Sequence, residues 1–247
     1  YRDLDIRYGA AHGFGGGDTA GITISDCDLS YIGGGHQFTT QDGRPVRFGN
    51  AIEFWGNARD CLVQGCRIWE VYDAALTNQA SGHGTRQINI AYRRNIVWNC
   101  EYSFEYWNRP EDSVTENILF EDNICMDAGF GWGHGQRPDP NGRHLMFYAN
   151  PARTRGFVIR RNVFCNSRHS ALRMENDWTA GLAMDHNLWF EESGPLFFFL
   201  GKNYSAEEID EFRRLTGQCA HCVIARPKFV NEQARDYRLA PDSPRAW

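Results

Sequence analysis

Lysine is almost missing from this chain: Lys202 and Lys228 are the only two among 26 basic residues. The remaining positive charge is arginine, whose planar guanidinium suits bidentate contact with carboxylates, although codon usage accounts for the same bias. Also missing is any apolar run near the roughly 20 residues of a membrane helix, so no membrane span is expected. There is no basic excess either. A formal charge of −5 speaks against a nucleic-acid partner, which would be gripped first through its phosphates. No secretory leader is visible, but the pattern is already strand-like at Tyr1 and both ends are expected to be trimmed, so this says nothing about location. The eight cysteines stand singly except in "CAHC", 219–222. One CxxC is two ligands short of a closed zinc site, and a disulfide framework is not expected at this length, so buried free thiols are the expectation.

What is present is enough for one large core. At 247 residues, with 14% aromatics and 25 glycines, the chain is neither disordered nor of low complexity, and a single domain over 1–247 is expected. A motif recurs along it: "ITISDCDLS" at 22, "CLVQGCRIW" at 61, "INIAYRRNIVW" at 88, "NILFEDNICM" at 117, "FVIRRNVFCN" at 157 and "LAMDHNLWF" at 182. Aligned on Cys27, Cys66, Asn95, Asn123, Asn162 and Asn187, the copies carry apolar residues five and three positions before the anchor and two after it. The anchors are spaced 39, 29, 28, 39 and 25 residues apart.

A period of two excludes helical repeats, and the uneven spacing excludes propeller blades, which need four similar strands each. Stacked passes of short parallel strands tolerate unequal turns. The anchor Asn is then expected at a tight bend, itself in the positive-φ region, with its amide bonding to the next pass. These motifs, spread over nearly the whole chain, resemble the right-handed parallel β-helix repeat proteins of the pectin-lyase-like superfamily. The ending "PKFVNEQARDYRLAPDSPRAW" resembles the closing segment of many bacterial members. The resemblance implies an all-β, single-stranded right-handed parallel β-helix (a solenoid) of about seven rungs. It also implies a carbohydrate-active protein, secreted or periplasmic in a bacterium, with a polysaccharide or oligosaccharide as partner. No residue pattern specifies an oligomer.

Each motif is followed by another short strand: "AIEFWGN" (51), "AALTNQ" (74), "SFEYWNR" (103), "HLMFYAN" (144) and "ALRMEND" (171). Alternation turns Ile52, Leu76, Phe104, Leu145 and Leu172 inward. It leaves Glu53, Thr77, Glu105, Met146 and Arg173 in one outward column and Trp55, Gln79, Trp107, Tyr148 and Glu175 in the next. Flat aromatic faces beside hydrogen-bonding groups suit a sugar ring, so this face is expected to be a groove. The plainer alternative is cover by two insertions, about 33–50 and about 129–144, and both hold if those loops fold over the face as the walls of the groove. A short helix is expected over about 205–217, with Ser205 as its cap and Glu207 and Glu208 in its first turn.

Glu53 and Glu105, two strands apart, are the expected catalytic pair of an inverting glycoside hydrolase, unless they merely pair with Arg109 or Arg173. Asp73, Glu101 and His169 stand in the turns leading into this strand, and Glu175 and Asp177 along and beyond its far end, as alternative acids or as groups that hold a cation. In the second insertion Trp132, His134, Arg137, Asp139, Arg143 and His144 gather among glycines and prolines, as a ligand-contacting loop would. A rival reading is a lyase acting by β-elimination on a uronate-containing glycan, with Arg173 or Arg137 neutralising the carboxylate and His144 or His169 as base. Net acidity and scarce lysine count against a polyanionic substrate. The third reading is a glycan-binding module without turnover. No cofactor is called for, although the column Tyr31, Glu70, Asn99, Asp127, Asn166, Glu191 offers oxygens that could hold Ca²⁺ if it is not simply a solvated turn. His36, His83 and His186 read as ordinary surface residues.

Overall fold

A computed structural model describes all of residues 1–247. The chain is all-β apart from one α-helix and two 3₁₀ turns. One sheet has eight strands, stacked parallel in chain order: Asp5–Arg7, Asp28–Ile32, Arg67–Val71, Ile96–Trp98, Ile124–Ala128, Val163–Ser167, Leu188–Phe190 and Val223–Ile224. The other has fourteen strands in two banks, joined by the long strand Ile52–Gln64. Its first half pairs with Ala74–Ala80 and its second half with Arg86–Arg93. Every pairing in both sheets is parallel except Phe197–Phe199 with Lys202–Tyr204.

The predicted inward residues form the core. Leu29, Ile68, Val97, Cys125, Phe164 and Trp189 are fully buried, as are Val63, Tyr92 and Phe120 opposite them. Each strand therefore removes its apolar residues from water by packing beside its parallel neighbours.

The anchor asparagines behave as expected in one respect and differently in another. Their amides do run from pass to pass: Asn95 Nδ2 donates to Asn123 Oδ1, Asn123 to Asn162, and Asn162 to Asn187, at 2.9–3.0 Å. The positive φ, however, belongs to the residue before each anchor: Asp26, Gly65, Arg94, Asp122, Arg161 and His186. The bend turns main-chain groups away from the strand ladder, and the Asn that follows satisfies them. Asn123, for example, accepts from the Asn95 main-chain N–H and donates to the Tyr92 carbonyl, both buried. The column four residues after the anchors is a second bend, with Tyr31, Glu70, Asn99, Asp127 and Asn166 all left-handed.

Six cysteines are buried free thiols, as expected, but Cys219 and Cys222 are disulfide-bonded to each other. The helix spans Ile209–Thr216, shorter than read from the sequence, and ends at Gly217 in the left-handed conformation. Ser205 does not cap it. Glu208 is the N-cap residue, and its carboxylate instead accepts the Ser205 main-chain N–H at 2.9 Å. Phe212 packs on Phe197, Phe199 and Tyr204, so helix and antiparallel strand together cover the last strand edge. No helix is long and apolar enough to cross a membrane.

Candidate functional site

The expected register holds. Glu53 pairs with Thr77, which pairs with Glu105, and one column over Trp55, Gln79 and Trp107 stand side by side. Part of the face is covered. Thr77 and Met146 are fully covered, and Glu53 and Glu105 are only 9% and 6% exposed. The two insertions fold down over this face. Residues 36–47 form a small hairpin, and the second insertion carries a 3₁₀ turn, His134–Gln136. Between them lies a cavity of about 700 Å³, walled by residues such as Arg44, Arg47, Tyr72, Arg137 and Asp139. The carboxylate pair does not line that cavity. Arg137, in the wall of that cavity, donates to Asp73 Oδ1 at 3.0 Å and to the Tyr72 carbonyl at 3.1 Å while lying over the Tyr72 and Tyr102 rings.

Neither carboxylate pairs with Arg109 or Arg173. Gln79 Nε2 donates to Glu105 at 2.6 Å, and Asn50 Nδ2 donates to Glu53 at 2.6 Å. His12 Nε2 stands 3.6 Å from the other Glu53 oxygen, and its Nδ1 accepts the Asn50 main-chain N–H. The environments differ in electrostatic consequence. Burial pushes Glu105 well above the ordinary carboxylate range, Asp73 and Glu53 add to this, and Arg137 and the Gln79 hydrogen bond only partly oppose it. Burial also raises Glu53, but there the nearby His12 and the Asn50 hydrogen bond work against it. Above them Tyr148 is half-buried, and its phenol is raised by burial and by the neighbouring Glu105.

Trp55, 37% exposed, and Trp107 approach to 5.7 Å between ring centroids, with Arg109 over the Trp107 ring at 5.3 Å. They form an aromatic surface beside the carboxylates, open to solvent at that end.

Other expected contacts are elsewhere. His144 is fully buried inside the molecule, against Phe164 and 3.0 Å from Ser103 Oγ, so it cannot meet a ligand. It stands next to inward Leu145 at a strand start, where alternation alone does not assign a face. His134 serves the loop by meeting Glu101, a fully covered carboxylate that also accepts the Asn141 main-chain N–H. Trp132 is pinned to Glu70 through its main-chain and indole N–H groups. His169 is exposed, 6.1 Å from the His134 ring. Arg173 pairs with Glu175 at 3.0 Å, and Asp177 accepts from Thr179 to open a 3₁₀ turn. Arg143 is buried and bonded to Asn141 and Ser170 rather than to a carboxylate.

His36 and His83 are surface residues bonded to Thr39 and Asp112. His186 is not simply so, because it stacks on His221 beside Asp185. Sequence reading also missed His12 and Asn50. The signal was spacing: Ile52 lies 14 residues before Cys66 and Phe14 lies 13 before Cys27, so "FGGG" is the preceding strand of the same bank. Its Gly15 pairs with Glu53, bringing His12 to the carboxylate. No family model, curated protein or solved structure matches the chain.

Proposed function

We propose that the chain is a right-handed parallel β-helix of about seven rungs, of the pectin-lyase-like type, and that it hydrolyses a glycosidic bond with inversion. Strands stacked in chain order, with bends recurring at fixed offsets from the anchors, support the first part. The second rests on one observation: two carboxyls, two strands apart on one face, both raised by burial, with a nearby His12 and an Asn50 hydrogen bond opposing the rise at Glu53. Two strand spacings put their backbones about 9–10 Å apart, which fits the roughly 6.5–9.5 Å of an inverting pair better than the shorter retaining distance.

Glu105, whose carboxyl burial pushes well above the ordinary range, is the general acid that gives its proton to the leaving oxygen. Glu53, oriented by Asn50 and facing His12, is the base that takes a proton from the attacking water. Trp55 and Trp107 receive the apolar face of a sugar, and Gln79 sets the rotamer of the acid. Elimination is the weaker reading, because His144, one of its bases, is interior and Arg173 is already engaged by Glu175.

The test is to incubate the protein with neutral and uronate-containing polysaccharides, with and without a chelator, following reducing ends and the ultraviolet absorbance of unsaturated products together. Reducing ends without absorbance, and a product of inverted anomeric configuration, are expected. Glu105→Gln should lose about 10²–10⁴-fold in turnover while still binding substrate. Absorbance rising with the reducing ends would overturn hydrolysis in favour of elimination. Glycan binding without turnover in the parent protein would leave a binding module.

A further inference from the structure

Away from this face, near the C-terminal end, three metal-ligating side chains converge. Asp185 ends the strand Leu182–Asp185, and His186 follows it in the left-handed bend at φ 54°. His221 sits in the tight loop closed by the Cys219–Cys222 disulfide. The loop is docked on the strand through this cluster. The His221 main-chain N–H donates to Asp185 Oδ1 at 2.6 Å, and His221 Nδ1 lies 2.7 Å from Oδ2. His186 Nδ1 approaches the same Oδ2 at 3.4 Å, and the two imidazoles stack at 4.8 Å and 25°. One ligand atom from each residue lies within 4.8 Å of the others.

The fold does not require these histidines. The bend position of His186 holds Asp26, Gly65, Arg94, Asp122 and Arg161 in other passes, so its backbone conformation asks for no imidazole. The disulfide and the His221 main-chain bond already fix the loop without the ring. The side chains are 31%, 47% and 68% exposed for Asp185, His186 and His221, so an ion can reach them from solvent.

We propose that Asp185, His186 and His221 form a binding site for a borderline divalent transition ion such as Zn²⁺, with water in the remaining coordination position. Two imidazoles and one carboxylate match such ions, whereas Ca²⁺ and Mg²⁺ prefer sets made of oxygen alone. Donor atoms of a tetrahedral zinc site lie about 3.3 Å apart, so rotamer adjustments suffice to close the triad on an ion. Because strand and loop are far apart in sequence, the ion would tie the terminal segment to the body of the molecule and stabilise it by mass action.

The experiment titrates the metal-free, disulfide-intact protein with Zn²⁺ and, separately, Ca²⁺ by calorimetry. Co²⁺ absorption then serves as a readout of coordination. One Zn²⁺ per chain is expected, with no Ca²⁺ heat at this site, a visible Co²⁺ band, and a melting temperature raised by Zn²⁺. The double variant His186→Ala/His221→Ala should weaken Zn²⁺ on the order of a hundredfold and lose both the band and the melting shift, having lost two of three donors. Asp185→Asn, which keeps the side-chain volume, should also weaken binding, while His83→Ala should leave it unchanged. Absence of stoichiometric binding, or binding that survives in the folded double variant, would overturn the site and leave an ordinary histidine–carboxylate surface cluster.

Discussion

Asn123 satisfies more of its neighbours than any apolar residue of its size could. Its Oδ1 accepts from the Asn95 main chain and side chain, and its Nδ2 donates to Tyr92 O and Asn162 Oδ1, all in the interior. Asn123→Ala leaves these groups unpaired where water cannot reach, and each orphaned group costs about 1–3 kcal/mol. Urea unfolding of Asn123→Ala should therefore show a loss of about 3 kcal/mol or more. Asn117→Gly, in the exposed ladder where Asn117 bonds Asn89, keeps the left-handed φ of 55° and should lose less than about 1 kcal/mol. His144 makes the matching point for a titratable group. Burial pushes its pKa down to about 3, so the folded chain holds it neutral while the unfolded chain takes up a proton near its ordinary value. Its contribution is intact above about pH 6.5 and is lost as pH falls through that value towards the folded one, at up to about 1.4 kcal/mol per pH unit. His144→Phe should flatten the dependence of the urea midpoint on pH in this range, whatever it does to stability at neutral pH.

At the scale of elements, the second insertion decides whether the outward face is a bare sheet or a covered site. It lies close because Gly131 has no side chain: a Cβ there would collide with the Asn99 carbonyl oxygen and come within 2.9 Å of Glu70 Oε2. Gly131→Ala should lift the loop at a cost of about 1–3 kcal/mol. Limited proteolysis should then cut within 133–141 faster than in the parent protein, with the strands beneath resisting as before. Composition showed that this segment was special, since histidines and arginines among glycines and prolines are unusual in a plain excursion. Which of them would turn to a ligand was not visible. His134 and Arg137 are engaged with Glu101 and Asp73, partners brought in from preceding passes.

Over the whole molecule, each strand of the two large sheets is held by its immediate neighbours, so what covers the sheet ends matters more than its size suggests. Phe212 presses the only α-helix onto the last strands of the larger sheet. Phe212→Ala should cost about 3–5 kcal/mol if the loss is felt globally. Hydrogen exchange should show protection falling first over 182–204, while the strands of 61–128 retain theirs. Equal loss everywhere would mean that the chain unfolds as one unit.

The amino-acid sequence by itself determined the strands, their inward columns, the parallel stacking and the anchor ladder. Each of these follows from local alternation and from main-chain groups that a bend leaves needing a partner. It also placed Glu53 and Glu105 on one face, because register follows from the same alternation. Only the tertiary structure decided that this face is covered, that His12 and Asn50 hold Glu53, that His144 points inside, and that His186 meets His221. Each of those outcomes depends on which distant segment arrives at a position and displaces water from it, and no local pattern carries that information.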